Sequence, residues 1–270
     1  MKLFAFAGIA IAFIVFLLLI QHRMIYYPRQ YDTSYSRSAD RFTELHYVTG
    51  SGPQVAFYLP PASGDLPVRL WFVFGGNASL ALDWHDLVTG YPDKEAGFVL
   101  IDYPGFGRCE GKASPETILT STEQALATLA DYLKVKPDVI EGRLHVLGHS
   151  LGAAAGLLFA ANHEVRKLVL VSPFTSLRDM AIRVVGMPLN YLVTGNFDNR
   201  ARIQELLARQ TPPKITIIHG DQDEVVPVAM GRKLHQIRPD HIQYIEIENA
   251  DHNYILAMAE ARIYESMIRE

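Results

Sequence analysis

Six apolar runs of strand length constrain this chain most: residues 70–74, 98–101, 144–147, 168–171, 215–218 and 242–247, with helical stretches between them. Strands buried on both faces read as continuous apolar runs, and parallel neighbours need a crossover between them. The alternation therefore predicts an α/β fold, a mainly parallel sheet flanked by helices on both sides. Two shorter runs, 44–49 and 55–59, are separated by Gly50-Ser51-Gly52-Pro53 and predict a hairpin ahead of that sheet. Ser114-Pro115-Glu116 sets a capping Ser before Pro at a first helical position, and Ile118, Ala125, Leu126, Leu129 and Leu133 follow as a helix-spaced core stripe. Residues 173–213 interrupt the alternation. Short helices expected at 177–185 and 200–208 make this segment a small lid over the carboxyl edge of the sheet.

The amino-terminal segment differs in kind. Residues 3–20 carry no charged or strongly polar side chain, and as a helix they would span about 27 Å at roughly 1.5 Å per residue, near the thickness of a bilayer core. A cleaved signal peptide is the rival reading, but its apolar region is shorter and ends at small residues, whereas Gln21-His22-Arg23-Met24 follows here. The expected organisation is one transmembrane helix as an anchor at 1–22, a linker or surface-hugging arm at 23–41, and the globular domain at 42–270. Arg23, Arg29, Arg37 and Arg41 argue for a cytoplasmic domain by the positive-inside rule. A short flank before an apolar run argues for export, and the exported, periplasmic or luminal, side is the expectation taken.

The formal net charge is −4, which offers no basic surface for nucleic acid. A single cysteine, Cys109, excludes an internal disulfide and any cysteine-based zinc site. Asp83, Trp84 and His85 form a polar and aromatic cluster without a further ligand at metal spacing, so no metal is expected.

Chemistry enters at Gly148-His149-Ser150-Leu151-Gly152, set between the run 144–147 and an Ala-rich helical run, 153–161. This is the setting of a nucleophile elbow. A sharp strand-to-helix turn leaves no room for side chains at the flanking positions and presents Ser150 at a helix start, where the N–H of Leu151 can meet a developing oxyanion. A Ser hydroxyl needs a base and a carboxylate to orient that base. Candidates follow later in the chain: Asp221 and Asp223 after the run 215–218, and Asp251-His252 in the loop after the last run. His145 lies inside a strand and His149 inside the elbow, so neither is expected to be the base.

The order Ser, acid, His on loops at the carboxyl edge resembles the serine hydrolases of the α/β-hydrolase superfamily, in their small-lid, single-pass membrane-anchored branch. The resemblance covers nearly everything after residue 42. The family pattern His-Gly-x-x-Asp-x-Val-x-Pro places the acid at Asp223, with Asp221 as the other candidate, and the base at His252. Asp102-Tyr103-Pro104-Gly105-Phe106-Gly107 with Glu110-Gly111 is similar to the family's Asp-Tyr-x-Gly-x-Gly-x-Ser-x-Gly loop, Cys109 standing at the Ser position, and Ser172 to Leu177 resembles the entry into the lid. The oxyanion loop departs from the pattern: Gly75-Gly76-Asn77-Ala78 stands where His-Gly-Asn-Ala is usual.

The resemblance implies acyl transfer to water by Ser150, Asp223 and His252, with the N–H groups of Asn77 and Leu151 as oxyanion donors and no cofactor. The expected substrate is a small-molecule acyl or lipid-like ester or thioester. Met180, Ile182, Val184, Val185, Met187, Leu189, Tyr191 and Leu192 make an apolar lid that either contacts such a substrate or packs on the sheet. A prolyl-oligopeptidase-like peptidase and a non-catalytic membrane-tethered scaffold are the alternatives.

Overall fold

The computed structural model describes the backbone of residues 2–35, 40–64 and 66–269, and the side chains of these except residues 2–11 and 34. Eight strands form one sheet: β1 (Thr43–Thr49), β2 (Gly52–Leu59), β3 (Arg69–Phe74), β4 (Ala96–Ile101), β5 (Leu144–His149), β6 (Lys167–Val171), β7 (Lys214–Gly220) and β8 (Ile242–Ile247). Their order is β1-β2-β4-β3-β5-β6-β7-β8. The first two pairings, β1 with β2 and β2 with β4, are antiparallel, and all others are parallel. The expected runs all fall on strands.

Burial explains the run lengths. Strands β4 and β6 are buried at every position, because both faces of the parallel region are covered. Along β3, Leu70, Phe72 and Phe74 join one core, while Trp71 and Val73 join the other, the period-two division that a strand imposes. At the edge, β1 buries Leu45 and Tyr47 and exposes His46 and Val48, which an antiparallel edge with one wet face permits.

The helices after the amino-terminal one, α1 (Lys2–Ile25), are α2 (His85–Gly90), α3 (Pro115–Leu133), α4 (Pro137–Glu141), α5 (Leu151–Asn162), α6 (Leu177–Val185), α7 (Asn199–Leu207), α8 (Val228–His235), α9 (Ile255–Met258) and α10 (Glu260–Ile268). Ser114 caps α3 by accepting from the Thr117 N–H at 3.1 Å, and Ile118, Ala125, Leu126 and Leu129 are buried beneath it. On the other side of the sheet, Ile263 and Met267 of α10 enter the second core.

Two segments refine the sequence reading. The expected lid divides: α6 buries no residue fully, whereas α7 buries Ile203, Leu206 and Leu207 in the core shared with α5. Only the first half, with the short 3-10 turn Leu189–Leu192, overhangs the sheet edge. The second is α1, a 24-residue helix. Half of the expected anchor, residues 3–11, has side chains outside the described residues, and residues 12–20 are described. Among the described residues no helix is long and apolar enough to cross a membrane. Beyond α1 the chain turns back along the domain, where Tyr26 is buried in the first core with Tyr31 and Tyr35 packed against the domain. Residues 23–25 of the expected arm complete α1, Tyr26, Tyr31 and Tyr35 pack against the domain, and 36–39 lie outside the described residues.

Candidate active site

Ser150 sits between β5 and α5 with φ 55° and ψ −117°, a left-handed-side conformation that costs a non-glycine residue of order 1–3 kcal/mol. Surrounding structure holds it there. The Ser150 N–H donates to the Val171 carbonyl at 2.8 Å. A Cβ at Gly148 would strike the Gly152 carbonyl, and one at Gly152 would strike the Phe74 carbonyl, so the elbow needs glycine at both positions for close approach.

Three side chains from three loops meet at this turn. His252 Nε2 lies 2.9 Å from Ser150 Oγ, and His252 Nδ1 lies 2.7 Å from Asp223 Oδ2. With Nδ1–H donating to the carboxylate, Nε2 is left to accept the Ser150 hydroxyl proton. Asp223 is fixed in turn, its Oδ1 accepting from the N–H groups of Val225 at 3.0 Å and Val226 at 2.7 Å. Burial alone would raise the Asp223 pKa. Hydrogen bonds from His219 and His252, the charge of His252 and the Val226 N–H outweigh it and hold the carboxyl well below the usual range.

Neither of the other two acids bonds to His252. Asp251 Oδ1 accepts from Asn253 and Tyr254 N–H, each at 2.8 Å, a local turn. Asp221 bonds through its N–H to the Ile247 carbonyl and makes no hydrogen bond to His252. His149 and His145 also take other duties. His149 donates from Nε2 to the His252 carbonyl at 3.1 Å, and burial, then the neighbouring His252, lowers its pKa to about 3. Burial lowers His145 to about 4. Both stay neutral across the physiological range.

The packing around Gly75 and Gly76, in the loop expected to carry the oxyanion donor, explains its departure from the family pattern. A Cβ on Gly75 would lie 2.9 Å from Ser79 Oγ and 3.3 Å from Trp84 Nε1, and one on Gly76 would lie 2.9 Å from His149 Nδ1. No side chain fits at either position without displacing these neighbours. The loop is held by other means: the Tyr103 hydroxyl donates to the Gly75 carbonyl at 2.6 Å, and Asn77 Oδ1 accepts from the Tyr27 N–H at 2.9 Å. Arg29 reaches the Ala78 carbonyl at 3.1 Å and Asp83 at 3.2 Å, while Tyr35 donates to Asp83 at 2.5 Å. Tyr31 donates to the buried Asp102 at 2.6 Å, whose other oxygen accepts from the Ala81 N–H at 2.8 Å. Sequence reasoning missed this brace of Tyr27, Arg29, Tyr31 and Tyr35, because residues 23–41 lack apolar periodicity and its partners lie dozens of residues away. Among the described residues the N–H groups of Asn77 and Leu151 have no protein acceptor, and both residues line the cavity beside Ser150.

That cavity holds about 350 Å³ and is lined mainly by apolar side chains. Of the expected lid residues, Met180, Val184, Val185, Leu189 and Leu192 line it, whereas Ile182, Met187 and Tyr191 face outward.

The chain resembles known proteins over most of its length. The Pyrococcus furiosus esterase PF2001 superposes with a TM-score of 0.65 at 14% identity, covering 90% of this chain and 96% of that one. An uncharacterized protein of Mycobacterium tuberculosis, Rv2307c, is 26% identical over 250 residues, 92% of this chain and 85% of its own. The α/β-hydrolase domain-containing protein WAV2 of Arabidopsis thaliana is 24% identical over 247 residues, 83% of this chain and 77% of its own. The model of the α/β-hydrolase family matches residues 72–209, just over half of the chain and the span from β3 through the elbow to α7, and the protein belongs to that family.

Proposed function

We propose that the protein is a serine hydrolase that cleaves carboxylic esters or thioesters. The observation that carries this reading is the continuous hydrogen-bonded path from Ser150 Oγ through His252 to Asp223, 2.9 Å and 2.7 Å long in its two links, at the floor of an apolar cavity. Ser150 Oγ attacks the substrate carbonyl carbon as His252 Nε2 takes the hydroxyl proton, and Asp223 stabilises the imidazolium. The carbonyl electron pair moves to oxygen, where the N–H groups of Asn77 and Leu151 receive it. Collapse expels the alcohol or thiol, which takes the proton from His252. Water, deprotonated by His252, then attacks the acyl-enzyme, and the carboxylic acid leaves as Ser150 regains its proton. No cofactor takes part.

Anchoring through residues 3–20 with the domain on the exported side belongs to the same proposal. Its support is the uninterrupted apolar sequence and the single helix that carries it. Intact geometry argues against a non-catalytic scaffold, and the scarcity of polar lining argues against a peptide substrate.

The test is labelling of the full chain in lipid nanodiscs with a fluorophosphonate probe, comparing wild type with Ser150→Ala and His252→Ala. Wild type is expected to label, Ser150→Ala not at all, and His252→Ala at a rate lower by about a thousandfold or more. A folded wild type that does not label sinks the hydrolase reading.

A further inference from the structure

The cavity above Ser150 is built in a way that the triad itself does not require. Its lining brings Ser150, Asn77 and Leu151 together with mainly apolar side chains. One of its long walls comes from α1, through Leu17, Gln21, Met24 and Ile25. Those positions are spaced i, i+4, i+7 and i+8, a single face of a helix. Gln21 does not break the apolar character of that face. Its Nε2 donates to the Leu18 carbonyl at 3.1 Å and its Oε1 accepts from the Thr194 N–H at 2.9 Å, so its amide is occupied and also ties α1 to the segment after the 3-10 turn. A second helix, α6, lines the same cavity through Met180, Ala181 and Val184.

We propose that α1 is a working part of the substrate site. With α6 it forms a two-walled slot for the unbranched acyl chain of an ester whose carbonyl rests on Ser150, and selection for long acyl chains depends on it. This rests on the hydrolase reading above and adds the substrate class.

Two observations favour a slot over a packing seam. Helices that pack face to face interdigitate and leave few voids larger than a water, yet about 350 Å³ remains open here. A seam would also have no reason to end on the Ser150 hydroxyl. An acyl chain matches the walls because it makes no demand for hydrogen bonds, whereas a peptide or sugar would bring polar groups that these side chains cannot meet. The outer face of α1 offers a built-in control, since Leu19 is 75% exposed and lies away from the slot.

The experiment uses the full chain in nanodiscs with p-nitrophenyl esters from acetyl to tetradecanoyl. Burial of each methylene is expected to raise kcat/KM by about two- to fourfold until the slot is filled. Met24→Trp and Ala181→Trp narrow the slot from the α1 and α6 walls. Each is expected to lower the dodecanoyl-to-butanoyl ratio of kcat/KM by at least about tenfold, while Leu19→Trp leaves that ratio as in wild type. A flat chain-length profile in wild type overturns the proposal, as does a ratio in Met24→Trp within twofold of that in Leu19→Trp. Should Met24→Trp not fold, Ala181→Trp decides on the same criterion. Fluorophosphonate labelling separates the two levels: no labelling of wild type defeats the hydrolase reading, whereas labelling with a flat profile defeats the role of α1 alone.

Discussion

The floor of the cavity and its roof differ in how fully they are buried and how many directions they are held from. On the floor, Ser150, His252 and Asp223 are fixed by main-chain hydrogen bonds and by glycine contacts that admit no substituent. The roof, made by α6, the 3-10 turn and the end of α1, turns apolar side chains to the cavity and is tied at its ends, by Thr175 to Asp179, Arg183 to the Glu224 carbonyl and Gln21 to Thr194, with α6 burying no residue completely. Directional bonds confine atoms to fractions of an ångström, while apolar contact sets area and volume and leaves rotamers free. On the proposed reading the molecule pairs a rigid reaction centre with a deformable recognition surface, and changes on the two sides should behave differently.

The largest effect is expected on the floor. Asp223→Asn keeps the shape but removes the charge that selects the His252 tautomer, and kcat for a short ester should fall by about 10⁴-fold with KM little changed. A loss below about tenfold would show that Asp223 does not orient the base, and the floor would lose its distinction from the roof.

Next comes a pH effect from the brace. Burial raises the Asp102 carboxyl to about 6. An acid whose folded pKa lies above its unfolded value of about 4 keeps its proton in the fold while the unfolded chain releases it. This site therefore removes stability as pH rises from about 4 to about 6, by up to about 3 kcal/mol at 1.36 kcal/mol per pK unit, and the loss is constant above that. Asp223, held below its usual value, acts with the opposite sign: its contribution is full above about pH 4 and declines as pH falls further. Thermal melting of wild type against Asp102→Asn from pH 4 to 7 should show a relative gain for the variant with rising pH. Parallel curves would refute the buried-carboxyl account.

Gly75→His restores the residue usual in the family. With Ser79 and Trp84 already in its place, overpacking should cost about 1–3 kcal/mol and give no faster turnover of a short ester. A variant as stable as wild type and faster would mean that the loop reshapes easily, and that this part of the floor belongs with the roof. Smallest is Val184→Ser on the roof, expected to change short-ester kcat by less than about threefold while weakening long-chain esters more. Equal losses on both substrates would erase the comparison.

The sequence made some parts legible and hid others for identifiable reasons. Strands β3 to β7 are readable because burial on both faces forces unbroken apolar runs, and the elbow because close backbone approach requires Gly148 and Gly152. Asp221 and Asp223 were harder to separate, both following the same strand; the choice depends on which carboxylate meets the N–H groups of Val225 and Val226, a matter of loop geometry. The reason for Gly75 lay out of reach for the same cause, since Ser79 and Trp84 fill its space only after the chain turns. α7 reads as lid because nothing in its local pattern reveals that Ile203 and Leu206 meet α5 across the fold.

Cys109 carries a practical consequence. Its thiol is buried against the β2 backbone, accepting from the Val55 N–H and donating to the Val55 carbonyl, both at 3.4 Å, and burial pushes its pKa up to about 12. Almost no thiolate forms at neutral pH, and the thiolate is the species that alkylating reagents and peroxide attack. The native chain therefore behaves towards maleimides as if it had no cysteine. A cysteine introduced at one surface position becomes a unique handle for a spin label or fluorophore, so motion of α6 against the sheet can be followed with the wild-type interior left untouched.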